Sequence, residues 1–376
     1  ALVTGGARGI GAAIAQALAR SGAAVMIGDI LDDTGKASAA EIAKAGVKTG
    51  FVKLDVTDDA QWERAAAATV ETLGGFDILI NNAGIEITSL VADIKAEDAR
   101  RMCDVNVVGT VLGMEWAGEV AELGPNVKGV KVGDKIMGSG GAAFAEYTLA
   151  DHGRLFRSPS NMNFEEAATL PVALATMHNA VVTNGALQPG QTVLIQGASS
   201  GVGLMAMQIA KLKGARLVVG SSTDAMRRGR LTEFGADLAV DSKDPAWVDQ
   251  VLQATGGEGV DLIVDQVSGS VANQNLKATK VKGRIVNVGR LGGTHGDFNF
   301  DLHAARRIQY IGVTFRTRSI EEIREIFEEV RKDIWPAVEA RKLQLPIDQV
   351  YKFADIGKAF EHMEANKHLG KIVVTL

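Results

Sequence analysis

Two stretches of this chain place glycines at the spacing that a dinucleotide needs. In the first, ALVTGGARGIG, an apolar run meets Gly5, Gly9, Ile10 and Gly11, and an amphipathic run, AAIAQALARSG, comes next. Glycines at these positions let the backbone turn tightly and approach a pyrophosphate, whose charge rests on the free amides of a helix start. In the second, TVLIQGASSGVG, Gly197, Gly201 and Gly203 repeat the arrangement ahead of another helical run. The chemistry to expect is that of a bound nucleotide cofactor, met twice in one chain.

The strands after the two turns end differently. After the first, AAVMIGD ends on Asp29. A carboxylate there accepts hydrogen bonds from the adenosine ribose and repels a 2′-phosphate, which favours NAD. After the second, ARLVVGSSTDAMRRGRL ends its strand at Gly220-Ser221-Ser222 with no carboxylate, and Arg227 and Arg228 come soon after. Hydroxyls and a guanidinium suit a 2′-phosphate, which favours NADPH. Arg228 reads equally well as part of a solvated helix face.

The elements that must hold these residues emerge from the alternation of strands and helices. GVKTGFVKLDVTD and GGFDILINNAG supply a third and fourth strand after the first turn, with a helical stretch from Asp58 to Leu73 between them. Such spacing implies a parallel, doubly wound sheet. VDLIVDQVSG and GRIVNVGRLGG continue the same alternation after the second turn. Between the two, the stretch from GMEWAGEV to GRLFRSP has Gly/Pro turns and short alternating runs, and reads as a small β-rich module. NFEEAATLPVALATMHNAVVTNGAL then reads as helix.

Composition sets the outer bounds. The 376 residues are 46% hydrophobic and 23% charged, ordinary globular material for two or three domains. A net charge of −5 gives no electrostatic footprint for nucleic acid or an acidic membrane. The apolar runs are far shorter than a membrane span. The chain opens at Ala1-Leu2-Val3, inside a strand pattern and without a Met or signal peptide, so a few missing residues and a cytoplasmic enzyme are the expectation. Cys103 is the single cysteine, which excludes an internal disulfide and a multi-cysteine zinc site. His178, His295 and His303 have no neighbouring pattern to support an acid role and read as packing or solvent-facing residues.

TGGARGIG, LDVTD and NNAG, in this order, resemble the short-chain dehydrogenase/reductase family. The resemblance implies that Asp55 and Val56 lie at the adenine, that Asn82, Ala83 and Gly84 lie beside the cofactor, and that Asn106 matches the family's catalytic asparagine. It then stops. The family's Tyr-x-x-x-Lys pair has no counterpart: Tyr147, Tyr310 and Tyr351 have Asp151, Thr314 and Asp355 four residues on. The first half thus binds NAD with no visible general acid, and its fourth strand is left with an apolar edge to be covered.

From GMEWAGEV through VGDKIMG, EEAATLPVALATMHNAV, GASSGVG, FGAD and GRIVNVG to the terminal GKIVV, the chain is similar to the medium-chain dehydrogenase/reductase superfamily, in its zinc-independent NADPH:quinone oxidoreductase branch. That implies a pyrophosphate held by Gly197, Ser199, Gly201 and Val202, and a 2′-phosphate held by Ser221, Ser222 and Arg227. Gly289, Arg290 and Leu291, with Phe315, Arg316 and Thr176, would border the nicotinamide. Lys371 of GKIVV reads as structural. The family's first strands, upstream of GMEWAGEV, are replaced here by the short-chain half, and the C-terminal return should rejoin the β-rich module.

The expected architecture is α/β, with two Rossmann-like parallel-sheet lobes and a partial GroES-like β-rich module between and after them. Residues 1–112 form the first lobe, 113–165 and 335–376 the partial module, and 166–334 the second lobe. The expected activity is hydride transfer from NADPH in the C-terminal lobe to a small quinone or α,β-unsaturated carbonyl, with NAD assigned to the N-terminal lobe. No metal, nucleic acid or membrane partner is expected, and a homo-oligomer is left open. The alternatives are a binding protein with two incomplete catalytic apparatuses, or a joining of two gene fragments. The seam is NVVGTVLGMEWAGEV, Asn106 to Val120, where a helix should end near Gly113 and a strand begin at Glu115.

Overall fold

The computed structural model describes residues 1–56, 58–80, 82–83, 114–124, 127–140 and 147–376. Two compact units divide the chain, Ala1–Leu112 and Gly113–Leu376. Asn106, Gly84 and the helix expected before Gly113 lie outside the described residues. The strand expected after the seam is present as Met114–Glu119, one residue earlier than Glu115.

In the first unit, strands β1 (Leu2–Thr4), β2 (Val25–Asp29), β3 (Thr49–Lys53) and β4 (Leu79–Ile80) form a parallel sheet in the order β3-β2-β1-β4. Helices α1 (Gly9–Arg20), α2 (Asp32–Ala43) and α3 (Asp59–Leu73) are the crossovers. Strand side chains alternate in direction, and the two faces use that alternation. Val3, Val25 and Ile27 pack with Ala15, Ala19, Ala39 and Ile42 on one face, while Leu2 and Met26 pack with Leu54, Ala65 and Leu73 on the other. A sheet buried on both faces explains why LVT and VMI read as continuous apolar runs. At β4, Leu79 stays 41% exposed.

The second unit is built around a six-stranded parallel sheet. Its strands are β8 (Thr192–Gln196), β9 (Leu217–Ser221), β10 (Leu238–Val240), β11 (Val260–Asp265), β12 (Thr279–Asn287) and β13 (Gln309–Gly312), in the order β10-β9-β8-β11-β12-β13. The order reverses at β8, between β9 and β11, and a crevice at such a switch point is where ligands bind. Again the faces alternate: Val193 and Ile195 join a core with the helices Pro171–His178, Gly201–Leu212 and Ile320–Asp333, while Leu194, Val219, Ile263 and Ile285 pack with Trp247 and Leu276.

The β-rich part of this unit is an antiparallel sheet, β5 (Met114–Glu119), β6 (Lys135–Gly140) and β7 (Leu155–Arg157). It shares the first of those cores through Met137 and Phe156. Phe156 stacks on Phe327 at 4.8 Å and on Trp335 at 5.0 Å. The C-terminal return, expected to rejoin the β-rich module, makes no backbone pairing with this sheet among the described residues. β14 (Ile347–Lys352) and β15 (Lys371–Thr375) pair in parallel with each other as a separate ribbon. What ties the ribbon to β5 is a side-chain ion pair, Lys371 with Glu115. No helix among the described residues is long and apolar enough to cross a membrane.

Candidate cofactor sites

In the second unit the turn after β8 is held by its own polar groups. Gly197 adopts φ +73°, a region open to glycine. Ser200 caps the helix Gly201–Leu212, its hydroxyl accepting from the Gly203 amide at 3.0 Å. A Cβ on Gly203 would stand 2.6 Å from the Gly197 carbonyl oxygen, so helix and turn meet only because that residue has no side chain. Val202 is partly buried against the core, and Ser199 is half-buried with its hydroxyl 3.0 Å from that of Ser222.

The two serines at the end of β9 do different things. Ser221 is fully buried; its hydroxyl donates to Gln196 Oε1 at 2.6 Å and accepts from the Gly197 amide at 3.0 Å. Both directions are engaged inside the protein, so Ser221 shapes the glycine turn. Ser222, also buried, meets the same turn at another point, donating to Ser199 Oγ at 3.0 Å. Gln196 continues the buried chain, donating from Nε2 to Asn275 Oδ1 at 2.8 Å, and Asn275 Nδ2 donates to Asp265 Oδ2 at 3.0 Å. Burial raises the Asp265 pKa, opposed by the Ser268 and Val267 amides that donate to its other oxygen.

The two arginines also divide. Arg228 Nη1 donates to the Ser222 carbonyl at 2.9 Å and to Asp241 Oδ2 at 3.1 Å, so it is neither a solvated helix face nor a free cation. Arg227 sits just beyond the Asp224 cap, with its amide on Asp224 Oδ1 at 2.8 Å, and extends Nη1 to Asn366 Oδ1 at 3.1 Å. At the end of β12, Gly289 lies against Gln266, whose carbonyl oxygen a Cβ would meet at 2.6 Å. Arg290 and Leu291 are exposed, Arg316 is exposed, and Phe315 and Thr176 are half-buried.

Glu115 and Lys371 are partners that sequence reasoning missed. Glu115 Oε1 accepts from the Val172 amide at 2.7 Å while Lys371 pairs with its other oxygen. Burial pushes the Glu115 carboxyl up, and Lys371 opposes it. The Lys371 stem crosses the start of the helix Gly201–Leu212, 3.0 Å from where a Cβ on Gly201 would be. Only the pairing of two distant motifs, GMEWAGEV and GKIVV, could have signalled this, and nothing in spacing links them.

In the first unit, Gly5 and Gly9 hold φ of +63° and +60°. A Cβ on Gly11 would sit 2.2 Å from the Gly5 carbonyl oxygen and 2.4 Å from Asn82 Nδ2. Asn82 ties β4 to the turn, donating from Nδ2 to the Thr4 and Gly5 carbonyls, while the Asn82 and Ala83 amides donate to Thr4 Oγ1. No side chain caps α1, which leaves its first amides for solvent or an anion. Ile10 is 75% exposed beside them. Asp29 is buried at the end of β2 and accepts from the Ala7 amide at 2.9 Å and the Leu31 amide at 3.0 Å. Each carboxylate oxygen has a second lone pair, so Asp29 can still take a ribose hydroxyl while holding the turn. The Asp55 amide donates to Gln61 Oε1, and Val56 packs under the sheet.

Among the described residues, no three His, Cys, Asp or Glu side chains gather as a metal site. Cys103 lies outside them. His178 is buried and bonded through Nε2 to Asp333 at 2.8 Å, His295 is exposed and bonded to Thr294, and His303 packs beside Phe298.

Two different family models match separate stretches of the chain. Residues 1–121 match the family model "short chain dehydrogenase", and residues 201–332 match "Zinc-binding dehydrogenase". Both matches are to dehydrogenases, each over about a third of the chain. It is 31% identical to the phenolphthiocerol synthesis polyketide synthase type I Pks15/1 of Mycobacterium marinum over 70% of its own length, and spans 12% of that synthase. It is also 28% identical to quinone oxidoreductase-like protein 2 of Bos taurus, over 70% of this chain and 76% of the relative. The solved JamJ enoyl reductase, in its apo form, superposes with a TM-score of 0.61 at 25% identity, over 70% of this chain and 78% of that one.

Proposed function

We propose that the second unit is a zinc-independent reductase that uses NADPH to reduce a small quinone or α,β-unsaturated carbonyl. The observation that carries the reading is the end of β9, where Ser222 and Arg227 stand in place of a carboxylate. A guanidinium and a hydroxyl favour the extra phosphate of NADPH, as Asp29 in the first unit disfavours it. The dinucleotide, when bound, supplies hydride. The protein's part is to seat and orient it: the Gly197–Gly203 turn and Val202 at the pyrophosphate, and Gly289, Arg290 and Phe315 bordering the nicotinamide, with Thr176 close by.

A quinone or enone suits such a site because it accepts hydride at carbon without a strong protein acid. The resulting oxyanion is delocalised and takes its proton from water. The quinone oxidoreductase-like relative and the enoyl reductase neighbour support this substrate class. The test is loss of NADPH absorbance with 1,4-benzoquinone or a crotonyl thioester and purified protein. Turnover that falls in Arg227→Glu is the expected result; equal rates in both would overturn it.

For the first unit a second reading is favoured by a specific absence in its sequence. With no Tyr-x-x-x-Lys pair, it binds NAD through Gly5, Gly9, Gly11 and Asp29 without turning it over. Equilibrium dialysis at saturating NAD and NADPH should find two nucleotides per chain, and one would show that only a single turn is competent.

A further inference from the structure

The turn that precedes β15 runs beside the second glycine turn. Gly370 forms a parallel bridge with Ser200, Lys371 lies along Gly201, and Asn366 takes a hydrogen bond from Arg227. Asn366 has φ +49°, in the left-handed region that asparagine enters more readily than most residues. Its amide oxygen holds the guanidinium through Nη1. The Asp224 carboxylate is 3.8 Å from Arg227 Nε, beyond hydrogen-bond reach.

Two nitrogens in this corner are buried with no hydrogen-bond partner, Arg227 Nε and His368 Nδ1. Buried orphan groups of this kind are rare and costly, and a pair of them on adjoining segments needs a reason. His368 is half-buried, its ring 6.0 Å from that of His362, which is itself paired with Asp348 at 3.1 Å. Burial holds the His368 imidazole below the ordinary histidine range; Asp348 opposes this, while His362 and the Arg227 charge add to it. A cation and an imidazole thus share one corner, and an acceptor-rich anion is the ligand that would bring them together.

We propose that Asn366 and His368 complete a site for the 2′-phosphate of the cofactor with Ser222 and Arg227. Asn366 is a positioning residue that fixes the guanidinium, and His368 is a second donor to the same phosphate. This rests on the reading of the second turn as an NADPH site. It makes the last turn of the chain a determinant of cofactor choice, although it lies well over a hundred residues from the strand end that carries Ser222.

Calorimetric titration of the full chain with 2′,5′-ADP and with 5′-AMP isolates the 2′-phosphate, the single group by which they differ. Any binding by the first unit is common to all variants. Wild type should bind 2′,5′-ADP at least about tenfold more tightly, as expected for a charge-assisted site. His368→Ala and Asn366→Gly should each weaken 2′,5′-ADP by about threefold or more and leave 5′-AMP unchanged, with His368→Gln recovering part of the loss through its retained donor. Asn366→Gly keeps the left-handed backbone accessible, so it removes the amide and not the turn. If His368→Ala and Asn366→Gly bind 2′,5′-ADP as wild type does while Arg227→Gln loses the preference, this inference fails and the NADPH reading stands. Equal weakening of both nucleotides would make the two residues structural and also overturn it. No preference in wild type would overturn the NADPH reading and this inference with it.

Discussion

Lys371, in the last strand, is ion-paired with Glu115, 256 positions earlier in the first strand of the β-rich sheet. The pair joins the C-terminal ribbon to that sheet and to the start of the helix Pro171–His178, whose Val172 amide the carboxylate also takes. Removing one member of a buried pair leaves the other charge uncompensated, at a cost of about 3 kcal/mol or more. Lys371→Met should therefore lower the unfolding free energy in urea by roughly that amount, and adding Glu115→Gln should restore much of it. A double variant no more stable than the single one would show that the pair is not the joint.

Ser221→Ala tests the division of labour at the end of β9. The variant leaves the Gly197 amide and Gln196 Oε1 without a partner inside the protein, a loss of about 1–3 kcal/mol. With the turn serving the pyrophosphate, as proposed, binding of NADH and NADPH to this unit should weaken by the same factor. Fluorescence titration with both cofactors reads the ratio. A selective loss of NADPH would return Ser221 to the 2′-phosphate.

Gly11→Ala addresses the first unit alone. Its Cβ would fall on the Gly5 carbonyl and the Asn82 amide, which are backbone and staple and have little room to move. NAD binding by this unit should drop more than about tenfold, given how closely the backbone must approach the pyrophosphate. NADPH-dependent reductase activity should be unchanged. A parallel fall in both would mean that the units do not act independently.

His178 makes stability depend on pH in a definite direction. Burial holds its pKa below the ordinary value; Asp333 and Glu329 oppose this and Lys213 adds to it. Below about 6.5 the unfolded chain takes up a proton that the folded chain refuses, so stability falls as pH drops through that value toward the folded pKa. Urea midpoints between pH 7.5 and 5 should decline in wild type, and decline less in His178→Gln. Parallel curves would remove His178 as the cause.

Much of the frame was legible because glycine and periodicity mark it. LVTGGARGIG and TVLIQGASSGVG each show a buried strand, a turn with positive φ, and a helix that begins on glycine, and both are where the residues put them. The strand after the seam was legible from the alternation in MEWAGEV, and it starts at Met114. The partners of Ser221 and Ser222 were not, because two adjacent hydroxyls look alike until the fold shows what each one meets. Arg228 was ambiguous for a related reason: its partners, Asp241 and the Ser222 carbonyl, come together only through the fold. The return segment was expected to rejoin the β-rich module; β14 and β15 pair with each other, and a side-chain ion pair makes the joint to β5.

The buried chain from Asp265 to Gly197 has a polarity. Asp265 as a carboxylate can only accept, so Asn275 must turn its NH2 toward it and offer its oxygen to Gln196. Gln196 in turn must present its own oxygen to Ser221, and the hydroxyl proton is fixed there, leaving a lone pair aimed at the Gly197 amide. One acidic residue at the end of β11 thereby dictates the handedness of two amides and a hydroxyl across three strands. Asp265→Asn would keep the shape and reverse the direction: the Val267 and Ser268 amides would hold its oxygen, so its NH2 would face Asn275, which would have to turn its own oxygen toward it. Gln196 would then have to turn its NH2 toward Ser221, and the hydroxyl proton beside the Gly197 amide would lose the acceptor that now fixes it.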